Sequence, residues 1–195
     1  MKKPIIALIL AAAILFGLSV GLDRMAMSNA QSYHLELMQT LLPGATEFTV
    51  EPYAGEDANI RSFHKSDIGF VVETVTYGYA GNITMFIGVN NEGKVTGLVV
   101  KEAHETFGLG GNALTDHEFL KQFLNGTGSF EVATAGADAF SGATAEAEVA
   151  EGEAVSVDAI TGATVTSKAV VRCVNSAVAY VTGADATTEA TSWGG

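Results

Sequence analysis

Phe70-Val71-Val72-Glu73-Thr74-Val75-Thr76-Tyr77, then Ile83-Thr84-Met85-Phe86-Ile87-Gly88-Val89, then Val95-Thr96-Gly97-Leu98-Val99-Val100 are three runs rich in β-branched and aromatic residues. Gly78-Tyr79-Ala80-Gly81-Asn82 and Asn90-Asn91-Glu92-Gly93 separate them and read as turns. Connections this short join antiparallel neighbours, because a parallel pair needs a crossover of a dozen or more residues. The stretch therefore predicts a three-stranded antiparallel meander.

Downstream, Glu105-Thr106-Phe107-Gly108-Leu109-Gly110 follows the third strand directly. A turn from strand to helix accounts for its glycines but not for the whole hexad. Leu114 to Leu124 reads as a short helix, with Thr115 or Asp116 as its cap and Phe119, Leu120, Phe123 and Leu124 as its core face. Gly126 to Ser156 is rich in Ala, Gly and Glu, lacks Lys and Arg, and has few large apolar residues. It is expected to be a loose or partly disordered acidic insertion.

Asp158-Ala159-Ile160-Thr161-Gly162-Ala163-Thr164 is small and flexible, and an apolar helix pattern begins after it. Val165, Ala169, Val170, Val174, Ala177 and Val178 fall near a three-to-four spacing, and Thr161 or Thr164 is placed to supply a capping oxygen. The first amides of a helix lack intrahelical partners and its dipole favours negative charge there, so this end suits a phosphate. An ordinary capped helix is the plainer reading of the same residues.

Those seven residues resemble the flavinylation motif Asp-x-x-(Ser/Thr)-Gly-Ala-(Thr/Ser) at every specified position, and Thr166-Ser167-Lys168-Ala169-Val170-Val171 continues the likeness. The resemblance is to the G subunit of the Rnf electron-transport complex, whose FMN-binding domain is shared with the C subunit of the Na⁺-translocating NADH:quinone reductase. Glu105 to Gly110 resembles the Glu-Thr-Pro-Gly-Leu-Gly of the same family, with Phe107 in place of the proline. The turns from Gly78 to Gly97 add a weaker similarity. The resemblance implies FMN held as a phosphoester on Thr164, with Asp158, Thr161, Gly162, Ala163, Val165, Thr166 and Lys168 around it. It also implies contacts to the flavin from Glu105, Thr106, Gly108, Leu109 and Gly110. Asp138-Ala139-Phe140-Ser141-Gly142-Ala143-Thr144 matches the motif a second time. Thr144 is followed by Ala-Glu-Ala-Glu, whose charges repel a phosphate, so Thr164 is the preferred site.

Ile5 to Leu22 is an uncharged run between Lys2-Lys3 and Asp23-Arg24. At 1.5 Å per residue it reaches roughly 27 Å, close to a hydrocarbon core. A single transmembrane anchor with a cytoplasmic N-terminus is preferred over a signal peptide cleaved near Ser28-Asn29-Ala30. Ser28 to Leu42 suits an amphipathic helix ended by Pro43-Gly44, and Glu51 to Ser66 reads as loop with at most a short strand. Cys173 is expected to be a buried structural thiol, His34 and His64 to be ordinary surface histidines, and His104 and His117 to be structural or solvated ones, since none has ligand spacing to another.

The formal net charge of −12 excludes a nucleic-acid surface, which needs cations to neutralise phosphates. The expected architecture is α+β: a cytoplasmic N-terminus and transmembrane helix over 1–24, an extracytoplasmic FMN-binding domain over 25–183 with an antiparallel sheet and flanking helices, and a flexible tail over 184–195. The expected function is that of a membrane-anchored electron-transfer subunit of an ion-translocating ferredoxin:NAD⁺ oxidoreductase. Its expected partners are the other membrane subunits, with a flavin transferase for maturation. The alternatives are the quinone-reductase C subunit and a non-redox anchor or assembly protein with an empty flavin fold.

Overall fold

The computed structural model describes residues 31–133 and 154–184. The proposed anchor, Thr144 with most of the acidic insertion, and most of the tail lie outside the described residues. Among the described residues no helix is long and apolar enough to cross a membrane. The chain divides into two compact units, Met1–Leu37 and Met38–Gly195.

The second unit is built on a five-stranded antiparallel sheet: β1 (Thr49–Pro52), β2 (Ile60–Lys65), β3 (Gly69–Tyr77), β4 (Asn82–Asn90) and β5 (Val95–Ala103), in that spatial order. The expected meander is its β3-β4-β5 half. The expectation of loop over Glu51 to Ser66 is corrected, because β1 ends and β2 lies within that stretch. β2 has no period of two because a register shift falls between Ile60 and Ser62 and because Phe63 and His64 are buried on consecutive positions. His64 is thus no surface residue: it is 5% exposed and packs edge-to-face on Phe86 at 6.0 Å.

One face of the sheet carries helix α4 (Thr164–Thr182). Val72, Ile83, Met85, Ile87 and Val89 form a single core with Ala169, Val170, Cys173, Val174 and Ala177. The Thr76 hydroxyl donates to the Ala169 carbonyl at 3.0 Å, which allows a polar side chain inside that core. Thr166, Ser167, Val171 and Ser176 are buried too, so α4 is enclosed on more than the one stripe its apolar spacing marks.

The opposite face receives the last turn of α1 (residues 31–41), where Met38, Leu41 and Leu42 are buried. Gly88 and Gly97 are register partners on β4 and β5, and a Cβ at either would strike the Leu41 backbone. The paired glycines form a notch for the helix end, and Thr96 Oγ1 donates to the Leu41 carbonyl at 2.6 Å. Gly44, with φ +97°, turns the chain after Pro43, as expected for this helix end.

Between β5 and α4 run two short helices, α2 (Gly110–Ala113) and α3 (His117–Lys121). The second is shorter than the expected Leu114 to Leu124. Asp116 caps it, accepting from the amides of Glu118 and Phe119 at 2.9 and 3.1 Å. Phe119 and Phe123 are wholly buried, each contributing about 1.5–3 kcal/mol, whereas Leu124 is partly exposed. The ends of the acidic segment are ordered rather than loose: β6 (Phe130–Val132) and β7 (Val155–Val157) pair in parallel. Asn175 of α4 binds both the amide and the carbonyl of Phe130, at 2.8 and 2.9 Å.

Candidate functional site

The three segments singled out in the sequence converge at one end of the sheet. Glu105 leaves the end of β5 and turns its carboxylate inward. One oxygen, Oε1, accepts from the backbone amides of Tyr79 and Ala80 in the β3–β4 turn at 2.7 and 3.3 Å. The other, Oε2, accepts from the Thr166 hydroxyl in the first turn of α4 at 3.1 Å. Gly78 and Gly110 make this possible, since a Cβ at either would collide with the carboxylate.

After Glu105 the loop reverses. The Thr106 carbonyl accepts from the amides of Leu109 and Gly111 at 3.3 and 3.1 Å, and Gly108 takes φ +82°, so glycine serves the turn although proline is replaced by Phe107. The Phe107 side chain is 95% exposed and that of Leu109 is 49% exposed. Leu109 leans toward Gly162, whose missing Cβ would lie 3.6 Å from Leu109 Cδ2.

Asp158 to Thr164 forms the approach to α4. Gln122 reads the Asp158 backbone at both groups, accepting from its amide at 2.8 Å and donating to its carbonyl at 3.3 Å, while the Asp158 side chain stays exposed. Gly162 turns the chain with φ +80°. Ala163 occupies the cap position and no side chain caps the helix, so the expectation that Thr161 or Thr164 supplies the capping oxygen is corrected. Thr164 is itself the first helical residue and is exposed. In place of a cap, the Ser167 hydroxyl accepts from the Ile160 amide at 3.2 Å and donates to the Ala163 carbonyl at 3.0 Å.

Thr161, Gly162, Thr164 and Lys168 are thus exposed around the helix end, Val165 is half-buried, and Thr166 and Ala163 are buried beneath it. Tyr79, Ala80 and Ser167 lie in stretches the sequence reading quotes but are given no role there, and Gln122 is not singled out at all. Cys173 lies deeper in α4: burial pushes its thiol up, and the Thr76 hydroxyl, 3.3 Å from Sγ, offsets that only in part, as suits a buried structural thiol. His104 and His117 are exposed, and among the described residues no group of side chains has the makings of a metal site.

A cleft of about 630 Å³ runs between β5 and the α2–α3 segment, lined largely by aliphatic side chains such as Leu98, Val100, Leu114 and Leu120. It reaches Glu105 and Gly111 from behind but does not include Thr164.

The sequence profile of the FMN-binding domain matches residues 78–179, from the β3–β4 turn to the last turns of α4. The chain belongs to the FMN-binding domain family. The match spans all three converging segments. Among solved structures the FMN-binding domain is similar to NqrC of Shewanella oneidensis, with 22% identity and a TM-score of 0.44 over 70% of this chain and 64% of that one. This chain thus spans less than two thirds of that protein's length. No curated protein matches it.

The residues fit the group the family is named for. A phosphoester needs a free hydroxyl and amides facing it: Thr164 is exposed, it opens a 19-residue helix with no acidic residue in its first turn, and the Glu105 carboxylate that reaches that turn is held by Thr166 and the β3–β4 amides. A planar apolar ring needs apolar surface nearby, which Leu109 offers next to Gly162.

Proposed function

We propose that this chain is a membrane-anchored electron-carrier protein bearing FMN as a phosphoester on Thr164, and that it is the G subunit of an Rnf-type ion-translocating ferredoxin:NAD⁺ oxidoreductase. The observation that carries this reading is the meeting of the hexad, the β3–β4 turn and the flavinylation motif around an exposed threonine at the start of α4. FMN, when bound, supplies one- and two-electron redox chemistry; the protein supplies attachment, orientation and electrostatics. Thr164 holds the phosphate side, helped by the first amides of α4 and by Lys168. Leu109 and Phe107 present apolar surface, and Gly162 keeps the approach open for a flavin transferase.

The uncharged run Ile5 to Leu22 supports the anchor, and Lys2 and Lys3 support a cytoplasmic N-terminus with the FMN domain extracytoplasmic. The β3–β4 turn and the hexad with α2 carry one charged residue, Glu105, whose carboxylate faces inward, while Asp158 and Lys168, one of each sign, are exposed at the start of α4. This end of the sheet also exposes Tyr77, Tyr79, Phe107 and Leu109. Such a surface suits a neighbouring carrier of the same complex, to which electrons pass.

Peptide mass spectrometry on protein from its native membrane tests this reading. Lys and Arg are absent between Lys121 and Lys168, so a Glu-specific protease, cutting between Glu146 and Glu153, is required to separate Thr144 from Thr164. FMN is expected on the Thr164 peptide and absent from Thr164→Ala. FMN on Thr144 alone overturns the site, and protein without flavin from cells with an active transferase overturns the carrier.

A further inference from the structure

We propose that Glu105 is the positioning residue of the flavin site, a clasp that aims the Thr164 hydroxyl outward rather than a group that touches the flavin. The proposal rests on the reading that Thr164 carries FMN and adds what holds that residue in place.

The geometry commits both carboxylate oxygens to the protein. Oε1 is held by two backbone amides of the β3–β4 turn and Oε2 by the Thr166 hydroxyl. Glycine at 78 and at 110 leaves the carboxylate the only room it has. Side chains two apart on an α-helix point about 200° around the axis from each other. Drawing Thr166 inward therefore turns Thr164 to the opposite side, where it is exposed while Thr166 is buried.

The clasp is not a cap: no side chain accepts from the first amides of α4, and Glu105 reaches that turn through the Thr166 hydroxyl. Without it the Thr166 hydroxyl loses its acceptor, and nothing from the loop after β5 fixes the rotation of the first turn of α4. A nucleophile displaced by an ångström can lose roughly a hundredfold in rate, so the hydroxyl's placement controls how readily its oxygen attacks the FMN phosphorus of a flavin dinucleotide held by the transferase. The new P–O bond forms as the diphosphate P–O bond breaks, the nucleoside monophosphate leaves and the hydroxyl proton passes to the transferase or solvent.

Three variants of the full chain, each co-expressed with an active flavin transferase, test the clasp. Glu105→Ala removes it. Glu105→Gln keeps it without charge, since the amide oxygen accepts from Tyr79 and Ala80 and the amide nitrogen donates to the Thr166 oxygen. Thr166→Val removes one arm at nearly constant volume. Intact mass gives the fraction of protein carrying FMN, and hydrogen exchange on flavin-free protein reads the amides of Tyr79, Ala80 and residues 164–167.

Initial flavinylation rates about tenfold lower are expected for Glu105→Ala and for Thr166→Val. Glu105→Gln is expected to load at the wild-type rate with an unchanged flavin absorption spectrum, and only Glu105→Ala should speed exchange at Tyr79 and Ala80. Normal loading of Glu105→Ala overturns the proposal. So does a Glu105→Gln that fails like alanine or shifts the flavin spectrum, either of which makes the charge itself act on the flavin. Should wild-type protein take no FMN, the carrier reading falls and takes the loading role with it, while the exchange data still decide whether the clasp exists.

Discussion

Glu73 stands on the sheet face opposite α4, beyond the part that the last turn of α1 covers, and its carboxylate joins two strands. Lys101 Nζ donates to one oxygen at 2.5 Å and Ser62 Oγ to the other at 2.8 Å. Partial burial alone raises a carboxylate, yet the hydrogen bonds and charge of Lys101, with Ser62, prevail and hold Glu73 below its ordinary range. A pKa lowered on folding contributes stability above the unfolded value, and that stability is lost as pH falls through the folded one. Glu73→Gln should therefore unfold at lower urea concentration than wild type near neutral pH, with the gap closing as pH falls below the ordinary glutamate value of about 4.3 and through the lowered folded one. A gap that persists in acid would rule out the charged pair as its source. The start of α4 near Thr164 and the turn at Gly162 were legible in the sequence because a pattern of small residues before an apolar helix is a local property, whereas the choice of Thr164 as the flavin carrier rested on the resemblance. The inward turn of Thr166 was not legible. It depends on Glu105, 61 positions away, and spacing within α4 cannot report a partner on another strand.

At the scale of elements, the sheet's second face depends on the absence of two side chains. Gly88 and Gly97 sit side by side, and the Leu41 backbone rests on them. Gly88→Ala forces the last turn of α1 off the sheet and should cost about 1–3 kcal/mol, as overpacking does. A lower urea midpoint, together with faster proteolysis between Met38 and Leu42, is expected; an unchanged midpoint would mean the notch has slack. The β3-β4-β5 meander was legible because β-branched runs and short turns are its whole local signature. β2 was hidden by its irregular register and by burial on both faces, which erase alternation. The start of α4 was legible to within a residue, but its capping was misassigned. No side chain accepts from its first amides; a serine inside the helix instead ties it to the preceding loop, and a glutamate outside the motif holds Thr166.

Over the whole molecule, charge is distributed against function in a definite way. The chain carries 22 acidic and 10 basic residues, yet the end that gathers Thr164, the hexad and the β3–β4 turn exposes aromatic and aliphatic side chains. An excess of one sign destabilises the compact state by self-repulsion. Exposed charges more than a Debye length apart cease to interact, and that length falls from about 30 Å at 0.01 M salt to about 10 Å at 0.1 M. Added salt should thus relieve the repulsion and raise the melting temperature. A gain of about 1 kcal/mol corresponds to roughly 2–4 °C for a chain of this size. Circular dichroism melts in sodium chloride and in sodium fluoride separate screening from ion-specific effects: equal rises in both salts fit self-repulsion. The salt bridges between exposed partners, Lys121 with Glu118 and Lys94 with Glu92, act in the opposite direction, since salt weakens them. Each is worth under about 1 kcal/mol, so the net response should still be a rise. A melting temperature that falls with salt would show that attractive pairs outweigh the net charge of −12.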